Sequence, residues 1–186
     1  MEIISFLNYI KMPLTVVHVI TVVVGMGSAL VSDILFNFYA KDKKLDNTEK
    51  KTLEILSKVV WWSLLLIIIS GIIIFFTNTG KYMGSDKFLA KMTILAVLLL
   101  NGTMLNFRVW PHVLGKGFFT SKKEITTRRL AFFGGAVSVV SWISVCALGV
   151  FDTSPTSYGN LMALYILIVS IAGFIALFME IRMFEK

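Results

Sequence analysis

Residues 16–36 read VVHVITVVVGMGSALVSDILF. The run is apolar enough for lipid, yet it holds His18 near one end and Asp33 near the other. An Asp at the centre of a membrane helix costs about 2.5–3.5 kcal/mol on insertion scales. Both residues therefore need a face turned away from lipid. At about 100° per residue, His18, Thr21, Gly25, Ser28, Ala29, Ser32 and Asp33 fall on one broad stripe, and Val, Ile and Leu occupy the opposite face. The stripe is expected to meet protein and the bulky face to meet lipid. Gly25 and Ala29 form a small-xxx-small pair suited to close helix packing.

Four more stretches have spanning length, giving spans at about 14–38, 59–77, 88–107, 130–151 and 158–179. The 186 residues are 56% hydrophobic, and the mean hydropathy is +0.81. The expected fold is all-α: a polytopic integral membrane helix bundle of five transmembrane helices, forming one membrane domain over 1–186. Barrel strands alternate polar and apolar over about 9–11 residues, which these runs do not, so a β-barrel is excluded. No soluble domain, repeat or low-complexity tract is visible.

Fourteen of the eighteen Lys and Arg residues fall in the first loop, the third loop and the tail. The positive-inside rule then places the N-terminus out and the C-terminus in, in a multi-pass cell-membrane protein. The net charge of +7 reads as topology and attraction to anionic lipid, with the bilayer as partner and no nucleic acid. The start, MEIISFLNYIKMP, has an acid at position 2 and no basic n-region, so a cleaved signal peptide is not expected. Residues 2–12 carry helically spaced apolar residues and read as a short interfacial segment, with Pro13 opening the next helix.

Local signals set the other boundaries. Asp46 and Glu49 make a capping box before the second helix, and Ser121 and Glu124 repeat the spacing before the fourth. Pro111 is expected to end the third helix near Trp110. Ser154–Pro155 is an N-cap/N1 pair for the fifth.

Candidate chemistry lies in the buried polar residues. His18 and Asp33 are about 22 Å apart along a helix, so they belong to opposite leaflets. Asp33 has two readings: an aspartate paired with a base such as Arg108, or a proton or ion site. Lys91 lies near the outer end of the third span, at the depth of His18. It either snorkels to the headgroups or shares an outer pocket with His18, which could bind metal or exchange protons. Asn101 and Asn106 follow on the third span. His112 reads as an interfacial histidine, and Glu180 as the partner of Arg182 or a loop base. In LAFFGGAVSVVSWISVCALG, Gly134, Ser138 and Ser141 form a second small-residue face, and Trp142 beside it needs a partner for its indole N–H. Cys146 is the lone cysteine, so there is no intrachain disulfide, and no His/Cys cluster suggests a metal site. No soluble catalytic signature appears, so no catalytic residue is assigned.

The early His18, the glycine-containing stretch after it and FLAKMTILAVLLL over residues 88–100 together resemble the HemJ-type protoporphyrinogen oxidases and the broader CopD-like group of small helical membrane proteins. That resemblance implies a haem-associated pair, His18 and Lys91, as the cofactor-binding residues. The stretches VSD and LNGTMLN look more like a prokaryotic membrane family of this general shape. Three functions follow as expectations. One is a haem- or tetrapyrrole-binding redox protein using His18 and Lys91. Another is a small ion-coupled transporter with Asp33, Asn101 and Asn106 lining an inner cavity. The third is a non-catalytic subunit that forms homo- or hetero-oligomers through the Gly25/Ala29 and Gly134/Ser138 faces.

Overall fold

The computed structural model describes residues 2–115 and 117–184, with side chains from Tyr9 onward. The order is α1 (Glu2–Ala40), α2 (Asn47–Thr77), α3 (Thr79–Met83), α4 (Asp86–Met104), a π-helical turn (Leu105–Val109), α5 (Trp110–Leu114), a 3-10 turn (Lys122–Glu124), α6 (Ile125–Val150) and α7 (Tyr158–Phe184). No strand occurs among the described residues. Five stretches are long and apolar enough to cross a membrane: Tyr9–Ala40, Asn47–Thr77, Asp86–Leu114, Lys122–Val150 and Tyr158–Phe184. Each is longer than the run of apolar residues alone suggests, because polar turns extend the helices at their ends.

The expected capping box forms: Glu49 N–H donates to Asp46 Oδ1 at 2.7 Å, and Asp46 N–H donates to Glu49 Oε2 at 2.8 Å. Four other boundaries differ from expectation. Pro13 lies inside α1, which runs unbroken from residue 2; a proline withdraws one N–H, and the remaining turns carry the helix through. Pro111 does not end the third span, which continues to Leu114 after the π-helical turn. Ser121 caps the 3-10 turn by accepting from Lys123 N–H, while Glu124 turns instead to His112. Ser154 does not cap α7, which starts four residues later at Tyr158; its hydroxyl accepts the N–H of Lys87 at 2.9 Å, at the start of α4.

Two ends can be distinguished. The basic end joins the 41–46 turn, the 115–124 connection and the end of α7; there Lys50 Nζ donates to Leu114 O at 2.9 Å. At the far end, the 151–157 loop meets the start of α4, where Lys87 Nζ donates to Phe151 O and Asp152 O. Helix α6 is central: 39% of its apolar window is buried, against 17–22% in the other four. It packs on α1, α4 and α7, while α2 packs on α1 along its length. The bundle is thus an α1/α2 hairpin leaning on an α4/α6/α7 trio.

The stripe on α1 falls where the 100° period puts it. Thr21, Gly25 and Ala29 are buried, while Val16, Val19, Ile20, Val23, Val24, Val31 and Ile34 are exposed. Exposed isoleucine, leucine and phenylalanine also cover α2 and α7. Soluble monomers rarely leave so continuous an apolar surface uncovered.

Buried polar residues join the helices. Asn101 Nδ2 donates to Gly134 O at 2.8 Å, between α4 and α6. Ser141 Oγ donates to Val137 O and lies 2.8 Å from Tyr165 Oη on α7. At the basic end Arg128 Nε donates to Glu180 Oε1 at 2.6 Å and Arg129 Nε to Oε2 at 3.4 Å. Glu180 therefore takes loop-side bases, while Arg182 lies over the Phe178 ring.

Candidate functional site

The far-end pair occupies two seams. His18 Nδ1 lies 2.7 Å from Ser70 Oγ on α2. Ser70 has one proton, and its Oγ donates to Leu66 O at 2.6 Å. The histidine Nδ1–H is then the donor to Ser70, and Nε2 keeps its lone pair. The ring lies against Gly71, whose Cβ position is in ordinary van der Waals range of His18 Cε1 at 3.5 Å. Lys91 turns toward α6: its Nζ lies 3.8 Å from where a Gly149 Cβ would be. No hydrogen bond joins the two side chains. His112 is at the basic end, where its Nδ1 lies 2.9 Å from Glu124 Oε2, so it is far from His18.

Asp33 is placed differently. Its half of α1 faces the seam between the hairpin and the trio, and two cavities meet at it. One, of about 170 Å³, lies between α1, α2, α4 and α6. The other, of about 270 Å³, lies between α1, α6 and α7. Asp33, Phe36 and Ala131 border both. Neither is lined by His18 or Lys91. The carboxylate sits over Gly135 of α6, with Oδ1 3.1 Å from the position a Cβ would take. Glycine at 135 is what admits it. No hydrogen bond or ion pair connects the Asp33 carboxylate to another described residue. Asn37 Nδ2 bonds the Asp33 backbone carbonyl at 2.8 Å, not the side chain. Arg108, the base expected beside it, is exposed.

The first cavity has a distinct chemical character. Ser32, Ser57, Ser138 and Asn106 line it together with Asp33, and the aromatic walls are Phe36, Trp61, Trp110 and Trp142. Among the described residues, no Lys, Arg or His lines it. Trp142 is 2% exposed, and its buried Nε1 has no hydrogen-bond partner. In the second cavity, buried Asn37 Oδ1 is unpartnered too. Two glycines set the depth of the site. A Cβ on Gly25 would fall 2.8 Å from both Ser63 Cβ and Trp142 Cη2, and one on Gly134 would fall 2.7 Å from Leu105 Cδ2. The expected small-residue faces therefore close the bundle above and beside the cavity, and Ser138 lines it directly.

Of the three residues expected around an inner cavity, Asp33 and Asn106 line one together, and Asn101 does not. The Asn101 amide is taken up by Gly134 O. The π-helical turn was not foreseen. It places Asn106 on the cavity wall, and π turns inside α-helices recur at functional sites. Pro111 is its nearest sequence signal: it withdraws the N–H that a continuous α-helix would offer to the Phe107 carbonyl, while Trp110 N–H reaches back to Leu105 O. Trp61 and Trp110 were also missed as wall residues, since an interfacial tryptophan and a cavity tryptophan read alike in sequence.

Among the described residues no group of three or more His, Cys, Asp or Glu side chains is placed to hold a metal ion. Compared with family models, curated proteins and solved structures, the chain matches none.

Proposed function

We propose that this is a multi-pass membrane protein, with its basic end at the cytoplasmic face, that carries a proton or a cation at Asp33. The observation that carries the reading is an unpaired carboxylate at the meeting point of two cavities inside an apolar bundle. Taking a carboxylate out of water costs several kcal/mol even after relaxation. A counter-charge from Arg128 or Arg129 would offset this, but Glu180 holds both. The remaining ways to satisfy Asp33 are a bound proton or a bound cation, and a bound group that can enter and leave is a carried one. Asn106, the serines and the loosened π turn supply neutral acceptors beside it. Fourteen basic residues toward one face support the orientation.

Two measurements test this. Single cysteines in the 41–46 turn and the 151–157 loop, in a Cys146→Ser background, should label from opposite sides of intact cells, with the turn protected from outside. In liposomes, flux of protons or of a monovalent cation, inorganic or organic, should be present and fall at least tenfold in Asp33→Asn. Flux that is absent, or unchanged in that variant, refutes the carrier reading.

A second reading rests on His18. A ligating histidine usually donates its other ring N–H to a fixed partner, and Ser70 is positioned to accept it while Nε2 stays free. Lys91 would hold a carboxylate, as the HemJ-type resemblance implies. A tetrapyrrole held by His18 would supply redox chemistry, with the chain contributing the ligating His18 nitrogen and the Ser70 hydroxyl that orients the ring. A Soret band after haem supplementation, lost in His18→Ala, supports this; no band refutes it.

A further inference from the structure

We infer that the cavity beside Asp33 takes an organic ammonium ion, a cation with a compact apolar body, rather than a bare metal ion. The inference rests on the Asp33 reading above and names the class of cation. The lining chemistry decides it. Hard metal ions need about six or more oxygen ligands at short range. The wall offers one carboxylate and a few neutral oxygens on Ser32, Ser57, Ser138 and Asn106, set among aliphatic and aromatic carbon. A dehydrated metal ion there would stay under-coordinated.

An alkylammonium needs the opposite environment. Its charge is spread over N-methyl or N-methylene groups, which lose little water. Such groups are held by the negative faces of aromatic rings, tryptophan best of all. Trp61, Trp110 and Trp142 line the same cavity as the carboxylate, with Phe36 between Asp33 and the basic end. A single carboxylate neutralises a single positive charge. Among the described residues, no Lys, Arg or His on the wall competes with a bound cation or repels it. The cavity, about 170 Å³, suits a compact head group and excludes long chains.

The protein supplies its own reporter. Three of its four tryptophans border the cavity, and the fourth, Trp62, is 66% exposed on the outer face of α2. The full chain in lipid nanodiscs would be titrated with choline and with its neutral isostere, in which carbon replaces the quaternary nitrogen. The expected result is a saturable change in tryptophan emission with choline and none with the isostere. Affinity should fall about thirtyfold in Trp61→Leu, the worth of one desolvated cation–π contact, and by about a hundredfold in Asp33→Asn. No saturable change, or an equal response to the isostere, overturns the inference without recourse to any variant. So does an unchanged affinity in Asp33→Asn with circular dichroism matching wild type. Proton and Na⁺ flux are measured in parallel. Asp33-dependent flux without choline binding removes the ammonium inference and leaves the carrier reading standing. Loss of both removes both.

Discussion

Glu180→Gln tests the tie at the basic end. Glu180 is fully buried, and Arg128 is 4% exposed. The variant keeps shape and a hydrogen-bond acceptor but removes the negative charge, leaving the Arg128 guanidinium buried. Removing one partner of a buried pair costs about 3–5 kcal/mol. Part of that is offset here. Arg128 Nη1 still reaches Phe118 O at 3.3 Å and Phe119 O at 3.4 Å. The guanidinium also lies 4.4 Å from the Phe184 ring centroid. The expected loss is therefore at the lower bound, about 3 kcal/mol, roughly a hundredfold in the unfolding equilibrium. Reversible unfolding in mixed micelles, followed by circular dichroism, reads it. The paired variant Arg128→Met with Glu180→Leu should recover most of the loss, since apolar residues of similar volume often replace buried pairs at no net cost. A loss under about 1 kcal/mol in Glu180→Gln, or a paired variant no better than it, would refute the claim that the charge is dry and held by this partner.

Other substitutions probe the packing and the site. Gly25→Val should destabilise by about 1–3 kcal/mol through overpacking, with a shift in Trp142 emission, because its Cβ would meet Ser63 and Trp142 at 2.8 Å. The same unfolding assay reads it. Asn101→Leu should cost about 1 kcal/mol, the scale of a membrane interhelical hydrogen bond, and leave ligand response unchanged because Asn101 does not line the cavity. Gly135→Ala should move the Asp33 carboxylate, which lies 3.1 Å from the added carbon. Flux should drop severalfold with little change in unfolding midpoint.

Much of this arrangement was legible in sequence, for definite reasons. Helix α1 keeps one period for its whole length, so counting at 100° per residue placed Thr21, Gly25 and Ala29 inward and the valines outward. The capping box at Asp46 is local chemistry, and it formed as spaced. The third span was less readable. The five residues from Asn101 to Asn106 turn the helix by about 140°, which already sets the two amides on different faces; the count did not foresee the π-helical turn after Met104. Tertiary choice was hidden elsewhere. Nothing local tells Ser154 to serve α4 rather than α7, or tells Glu180 to take Arg128 across the bundle instead of Arg182 two residues on. The lack of a partner for Asp33 was hidden for the same reason: it depends on where every base ends up.

The contact at Gly25 also has a mechanical consequence. It presses the α1/α2 hairpin against Trp142 of the trio with no spare room, so it behaves as a fulcrum. Below it the hairpin meets the trio mainly through aromatic surfaces, with Phe36 against Phe118, Phe119 and Phe132, and such surfaces can slide. The exposed Lys50–Leu114 hydrogen bond is a weak tether across the same gap. Displacing the hairpin from the trio is thus most strongly resisted at Gly25, and the width of the seam at Asp33, two turns below, is held from that point.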